Sequence, residues 1–378
     1  MEQITISGKT YTAEEAGAPF DKNNRKPTGL SRLQQEFRKK FGPKSFEASL
    51  ADFLAEWFNP LPVLKVQTSG STGTPKELWV EKQRMKNSAR LTVNFLGLKA
   101  GDTALICMPL KYIGGKMVIV RALTTGLNLI PITPCGHPMA SLDTAPVFAA
   151  MTPMQVFNSL QIEKEKELLK QINHLIIGGG AIDTELAQAL KEFPHAVWST
   201  YGMTETLSHI ALRRLSGPDA SEWYTPFNEV KLNLSTEGTL IIQAPSVNPE
   251  TLVTNDLVIL NDRGQFRITG RKDNIINTGG VKVQIEQVET ILKPLLSFAI
   301  QITSASDPKF GERIILLAET GKAINEEQQH QLSNAYEHLP AYWRPKEVIP
   351  VHTLPQTGSG KPDRAKAKML AASLSHHP

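Results

Sequence analysis

The stretch "QTSGSTGTPKELWV", residues 67–80, continues a short apolar run, "VLKVQ", that ends at Gln67. Between Thr68 and Lys76 it places two glycines, five Ser/Thr residues and one lysine. Such a loop after a strand can turn many N–H and O–H donors toward one anion, which suits the phosphates of a nucleotide. Composition alone would serve a flexible surface turn equally well; the order T-S-G-S-T-G-x-P-K is far more restrictive. The strand and its loop open a pattern that runs from Pro62 to about Leu212. Apolar runs (TALICM, LNLIPI, PVFAAM, HLIIGG, AVWSTY) alternate there with helical stretches at 82–97, 114–125, 153–160 and 183–193. That alternation, with VLKVQ as its first member, predicts a mainly parallel sheet covered by helices.

Upstream, Leu33, Phe37 and Phe41, then Phe46, Leu50, Leu54 and Phe58, recur at helical spacing with Gly42-Pro43 between them, so two helices are expected. Downstream of Pro226 the texture changes. "EVKLNLSTEGTLIIQA" and "LVTNDLVILNDRGQFRITG" each hold two alternating runs around a glycine turn, as antiparallel hairpins do. After Arg271 come a helix from Gln284 to Leu292, the strands "FAIQITSAS" and "ERIILLAET", a helix from Asn325 to Tyr336, and the strand "EVIPVH". The expected fold is therefore α/β. Residues 1–270 form a large domain of mainly parallel sheet plus a small β-rich part, and residues 271–378 form a small α+β domain.

The chain has 378 residues, 40% hydrophobic and 21% charged, with a formal charge of +4. No basic stripe supports nucleic-acid binding. Two cysteines, Cys107 and Cys135, are too few for a disulfide framework or a four-ligand zinc site. The N-terminus lacks a secretory pattern, and Lys116, Arg121 and Asn128 break the most apolar segment, so no membrane partner and a cytoplasmic location are expected. A homodimer is compatible with this composition.

Near the C-terminus "LPQTGSGKPDR", residues 354–364, contains half of a Walker phosphate loop. Pro355 stands where the first glycine is needed and Pro362 where a metal-binding hydroxyl is needed, so that reading fails. What remains is a polar loop presenting Lys361.

In order along the chain stand the Thr68–Lys76 loop, "IIGGGAI" (176–182), "STYGMTET" (199–206), "TND" (254–256), "GRKDNIINTGGVKVQIEQVE" (270–289) and "PQTGSGK" (355–361). Together they resemble the ordered signatures of the adenylate-forming superfamily of acyl-CoA synthetases, adenylation domains and luciferases. The resemblance implies ATP, Mg²⁺ and coenzyme A as co-substrates and a mobile C-terminal lid. It assigns Thr68, Ser69, Gly70, Ser71, Thr72, Gly73 and Lys76 to the phosphates. Gly179, Gly180, Ala181, Thr200, Tyr201, Gly202 and Met203 fall to the adenosine, Thr204 and Glu205 to the α-phosphate and metal, with Thr72 as a further metal contact. Asp256 and Arg271 fall to the ribose, Asp273 to the hinge, Gly279 and Gly280 to the pantetheine tunnel, and Lys361 to catalysis. Read without the family, Tyr201 is also a half-buried aromatic at a strand end and Asp256 a turn cap.

Within the superfamily, "MTPMQV", "LIIGGGAID" and "YGMTETLSHIALR" look most like ligases that attach CoA to a small aromatic keto-acid with two carboxylates. Such an acid needs a flat apolar slot and donors for its non-reacting carboxylate. Thr152, Gln155, Ser208 and His209 are the candidates, His209 being equally readable as a core histidine. The chain departs from the family in its short N-terminal part, in Glu77 after the loop lysine, in Asn255 for the glycine of T-G-D, and in Lys111-Tyr112 within "MPLKYIGG". An adenylation enzyme that loads a carrier protein, or a nucleotide-binding remnant without an acid pocket, are the other readings.

Overall fold

In the computed structural model, which describes residues 2–67, 77–180, 182, 184–321, 323–357 and 361–375, the parallel runs assemble as their composition demands. The largest sheet has the order Thr225–Pro226, His209–Arg214, Ala196–Gly202, His174–Ile177, Phe148–Met151, Thr103–Ile106, Asn128–Pro131, Gln3–Ile6, Lys9–Thr12. Its six inner strands, from Ala196–Gly202 to Gln3–Ile6, are parallel, and antiparallel strands close both edges. Because successive side chains point to opposite faces, each inner strand feeds two cores. Ala104, Ile106, Phe148, Ala150 and Ile176 pack on one side, and Leu105, Cys107, Ala149, Met151, Leu175 and Ile177 on the other. Burial on both faces explains why these strands read as unbroken apolar runs.

Two parts of this sheet differ from the sequence reading. Val63–Gln67 is not a member; it pairs antiparallel with Glu77–Glu81 in a hairpin of its own. Leu64 and Val66 are buried while Lys65 is exposed and paired with Glu77 at 2.6 Å, the one-sided burial of a hairpin rather than of an inner parallel strand. The sheet's other edge is supplied by Gln3–Ile6 and Lys9–Thr12, which carry too few apolar residues to be recognised from sequence. Their turn uses positive φ at Ser7 and Gly8. The two expected helices near the N-terminus are Arg32–Phe41 and Phe46–Trp57, capped by Ser31 and Ser45.

The two hairpins form a four-stranded sheet, Lys231–Leu234, Thr239–Ala244, Asn248–Leu260 and Phe266–Arg271. Beyond it, a five-stranded sheet joins Val281–Gln284, Ile275–Thr278, Gly311–Glu319 and Ile300–Asp307, with Glu347–Val351 parallel to Gly311–Glu319. Helices Ile285–Leu292 and Glu326–Glu337 fill one face of it through Val288, Leu292, Leu332 and Ala335. Helix Arg364–Leu374 covers the other through Ala367 and Ala371. The buried Glu289 carboxylate ties these layers together, accepting from Arg364 Nη2 at 2.9 Å and from the Ile302 N–H at 2.9 Å. The architecture is thus the α/β body with an α+β C-terminal unit that the sequence texture implied. Among the described residues no helix is long and apolar enough to cross a membrane.

Candidate active site

In the parallel sheet, Thr103–Ile106 has Asn128–Pro131 on one side and Phe148–Met151 on the other, so the direction of winding reverses there. In open α/β sheets ligands enter the crevice at the carboxyl ends of strands flanking such a switch. Thr152 leaves the sheet at this point and caps helix Pro153–Leu160. Gln155 Oε1 accepts from the Thr152 N–H at 3.0 Å, and Gln155 Nε2 donates to the carbonyls of Cys107 and Cys135, each at 3.0 Å. The expected role of Gln155 as a free donor in an acid pocket does not match this geometry. A helix start leaves N–H groups unsatisfied, and both Thr152 and Gln155 are spent on a capping box and on pinning two loops.

Gly178–Gly180 follows the next strand. A Cβ on Gly178 would stand 2.4 Å from Thr200 Oγ1, and one on Gly180 would stand 3.3 Å from Pro153 Cγ, so the loop runs close between strand and helix. Ala181 lies outside the described residues, as do Thr68, Ser69, Gly70, Ser71, Thr72, Gly73 and Lys76.

Strand Ala196–Gly202 brings Tyr201 inward. Its ring meets the Phe266 ring edge-on at 4.9 Å and the Tyr224 ring at 5.9 Å, and its hydroxyl donates to Asp256 Oδ2 at 2.5 Å. Tyr201 is therefore a buried member of an aromatic cluster rather than an open platform. At Gly202 a Cβ would lie 2.3 Å from the Ser208 carbonyl oxygen, and only glycine lets the chain fold back there. The fold-back makes the single turn Thr204–Thr206, closed by Leu207 at φ +62°. Thr206 Oγ1 holds it, accepting from the Met203 N–H at 2.9 Å and donating to the Ser208 carbonyl at 2.7 Å. Thr204 is half-buried, and the exposed Glu205 carboxylate has no hydrogen-bond partner among the described residues.

Asp256 sits inside strand Asn248–Leu260, opposite Arg271, and so is not a turn cap. Arg271 Nη1 donates to Asp256 Oδ1 at 2.9 Å, while its Nε and Nη2 grip the Asp273 carboxylate at 2.9 and 3.0 Å. Lys361, in the C-terminal unit, lies within electrostatic range of this pair. Burial and the neighbouring Arg271 charge push its ammonium below the ordinary lysine range, with Asp256 pulling the other way. Its loop is closed by the Thr357 N–H donating to the Lys361 carbonyl at 2.8 Å. Gly279 and Gly280, with φ of +58° and +82°, form an exposed hairpin tip.

One residue of this region was read in the sequence only as a polar break in an apolar run. Arg121, on helix Ile113–Thr125, is 1% exposed. Its Nη2 donates to Ser208 Oγ at 2.7 Å, its Nε has no partner, and no carboxylate faces it among the described residues. Burial pushes the guanidinium down to about 9, which still leaves it charged at neutral pH. Ser208 Oγ lies 3.2 Å from His209 Nδ1, and His209 Nε2 lies 3.0 Å from Thr92 Oγ1. A charged residue on the buried face of a helix was the available signal.

His209 is thus a satisfied core imidazole. Burial and the Arg121 charge hold it well below its ordinary range, so the folded protein stays neutral there while the unfolded chain takes up a proton below about pH 6.5. Stability is expected to fall as pH drops below about 6.5, by up to about 1.4 kcal/mol per pH unit. Calorimetry from pH 7.5 to 5 should show this slope flattened in His209→Gln, leaving a residue from His174, which burial also lowers. An unchanged slope in that variant would mean that His209 is not the linked group.

Comparison with known proteins bears on the fold and the family. The AMP-binding enzyme family profile matches residues 62–240. The 2-succinylbenzoate–CoA ligase of Bacillus cytotoxicus is 25% identical over 337 residues, 81% of this chain and 69% of that protein. That of Salmonella typhimurium is 27% identical over 290 residues, 72% of this chain and 61% of that protein. Among solved structures, an acyl-CoA synthetase (AMP-forming)/AMP-acid ligase II-like protein from Dyadobacter fermentans is 29% identical with a TM-score of 0.60, covering 90% of this chain and 98% of that one. The o-succinylbenzoate coenzyme A synthetase of Bacillus subtilis, in complex with ATP and magnesium ion, shares the fold with a TM-score of 0.64 at 20% identity, over 80% of this chain and 69% of that one. Profile, relatives and fold alike make residues 62–240 similar to the AMP-binding enzyme family, and the chain as a whole similar to AMP-forming acid–CoA ligases.

Proposed function

We propose that this ligase activates an aromatic acid bearing a second carboxylate, 2-succinylbenzoate fitting best, and passes it to coenzyme A, a step of menaquinone synthesis if that acid is its substrate. The observation that carries the reading is Arg121. A desolvated cation without a counter-ion is costly to keep, and an anionic group of the substrate would offset that cost. Arg121 reaches Ser208, just past the Thr204–Leu207 turn, so the non-reacting carboxylate would lie behind the reacting one. The curated relatives named for 2-succinylbenzoate support the same choice.

The remaining roles follow from chemistry at each position. Two of the acceptor sites of the Asp256 carboxylate are taken by Tyr201 and Arg271, which leaves capacity for ribose hydroxyls. Gly179 and Gly180 would line the adenine edge, and the Thr68–Lys76 loop the phosphates. Mg²⁺ binds through one or two carboxylates together with phosphate oxygens and water, and the exposed Glu205, whose carboxylate has no hydrogen-bond partner among the described residues, fits that donor set. Bound by Glu205, the ion would supply charge neutralisation at the phosphates. Thr204 offers a hydroxyl to the α-phosphate. Lys361 would bridge the acid oxygen and the α-phosphate as the O–P bond forms and the bond to pyrophosphate breaks. In the second step the thiol of CoA attacks the acyl carbon, releases AMP and gives its proton to solvent, after the C-terminal unit turns at Asp273 and withdraws Lys361.

The deciding experiment is a panel of acids with ATP and CoA, reading pyrophosphate release and thioester. 2-Succinylbenzoate should exceed benzoate at least a hundredfold in kcat/KM, as expected when a buried charge is left unpaired by the poorer substrate. A preference for monoacids would overturn the reading. Thioester formation with a carrier protein, but not CoA, as acceptor would favour an adenylation enzyme.

A further inference from the structure

Next to the Asp256–Arg271 pair lies a polar cluster of Gln284, Glu286 and Asn274, residues of the 270–289 stretch outside its ribose, hinge and tunnel positions. Gln284, at the end of strand Val281–Gln284, is 8% exposed and reaches back across Asp273. Its Nε2 donates to the Arg271 carbonyl at 2.9 Å and to Glu286 Oε2 at 2.6 Å. The other oxygen of Glu286 accepts from Asn274 Nδ2. Gln284 also lies flat on Gly270, where a Cβ would come within 2.2 Å of its Nε2. Gly270 and Arg271 belong to strand Phe266–Arg271, whereas Gln284 and Glu286 belong to the C-terminal unit. The Gln284–Arg271 bond therefore spans the joint in addition to the Arg271–Asp273 ion pair.

We propose that Gln284, held in place by Glu286 and Asn274, is a positioning residue that latches the C-terminal unit in the pose that sets Lys361 beside Asp256 and Arg271. This inference rests on the two-step reading of function given above. A rotation at Asp273 changes the path between Arg271 and Gln284 and breaks the bond, so the latch biases the enzyme toward adenylate formation and must open before thioester formation. Glu286 contributes by orienting the amide: a carboxylate on one side and a carbonyl on the other both demand a donor at that atom. Gly270 contributes by leaving room for it.

The isosteric Gln284→Glu keeps the volume but turns the donor into an acceptor facing two acceptors, and Gly270→Ala displaces the amide without altering it. Each variant is assayed for ATP–pyrophosphate exchange, for thioester formation from supplied acyl-adenylate, and for amide hydrogen exchange over residues 272–286 of the full chain. Both variants should lose about tenfold or more of the first half-reaction through a population shift, keep or raise the second, and exchange faster around the joint. Equal loss in both half-reactions, or no change in either, overturns the latch. If the unaltered enzyme forms no adenylate with any acid, the functional reading fails instead. Hydrogen exchange then still decides the latch, and unchanged protection over 272–286 in both variants would reject it.

Discussion

Lys361→Ala is expected to lower adenylate formation about a thousandfold while sparing thioester formation from supplied acyl-adenylate. The magnitude follows from one unit-charge interaction at about 4 Å in an effective dielectric near 20, about 4 kcal/mol, taken from the transition state of the first step alone. The structure supports the asymmetry because Lys361, carried by the C-terminal unit, lies within electrostatic range of the Asp256–Arg271 pair. Half-reactions measured separately provide the check. A parallel fall in both would mean that Lys361 supports the fold or the resting pose rather than the chemistry at phosphorus. Lys361→Arg restores charge but not shape, and partial recovery in that variant would separate electrostatics from position.

Arg121→Met should cut kcat/KM for 2-succinylbenzoate by about a hundredfold to a thousandfold, the scale of an unpaired buried charge. For benzoate the same substitution should change kcat/KM by less than about threefold. Stability moves the other way. Removing a desolvated cation that has no carboxylate partner among the described residues should leave the melting temperature unchanged or higher, since methionine packs the same stem without the charge. Thermal denaturation alongside the two assays distinguishes the outcomes. A lower melting temperature with both acids equally impaired would make Arg121 a structural residue and withdraw the second carboxylate from the proposal.

Much of the frame was legible because it is local. Ser31, Ser45 and Thr152 announce helix starts by side-chain caps, and the apolar runs of the parallel strands announce burial on both faces. The errors came where local pattern is ambiguous. VLKVQ has the apolar content of an inner strand but the alternation of a hairpin, and the hairpin prevailed once Lys65 found Glu77. Gln155 and Tyr201 read as ligand-facing groups from the motifs that hold them. Burial and competing hydrogen bonds turned both inward, onto loop carbonyls and onto Asp256.

Spacing along the chain was enough to read an alternating α/β body, a Ser/Thr/Gly-rich stretch suited to phosphates and a late lysine in a polar stretch, because each depends on residues within a few positions of one another. Which charges meet was decided only by the fold. Arg121 and Ser208, Asp256 and Arg271, Gln284 and the Arg271 carbonyl are brought together by strand order and by the placement of the C-terminal unit. Whether a charged or amide group is a surface ornament or a site depends on its solvation and its partners, and both are properties of the packed chain.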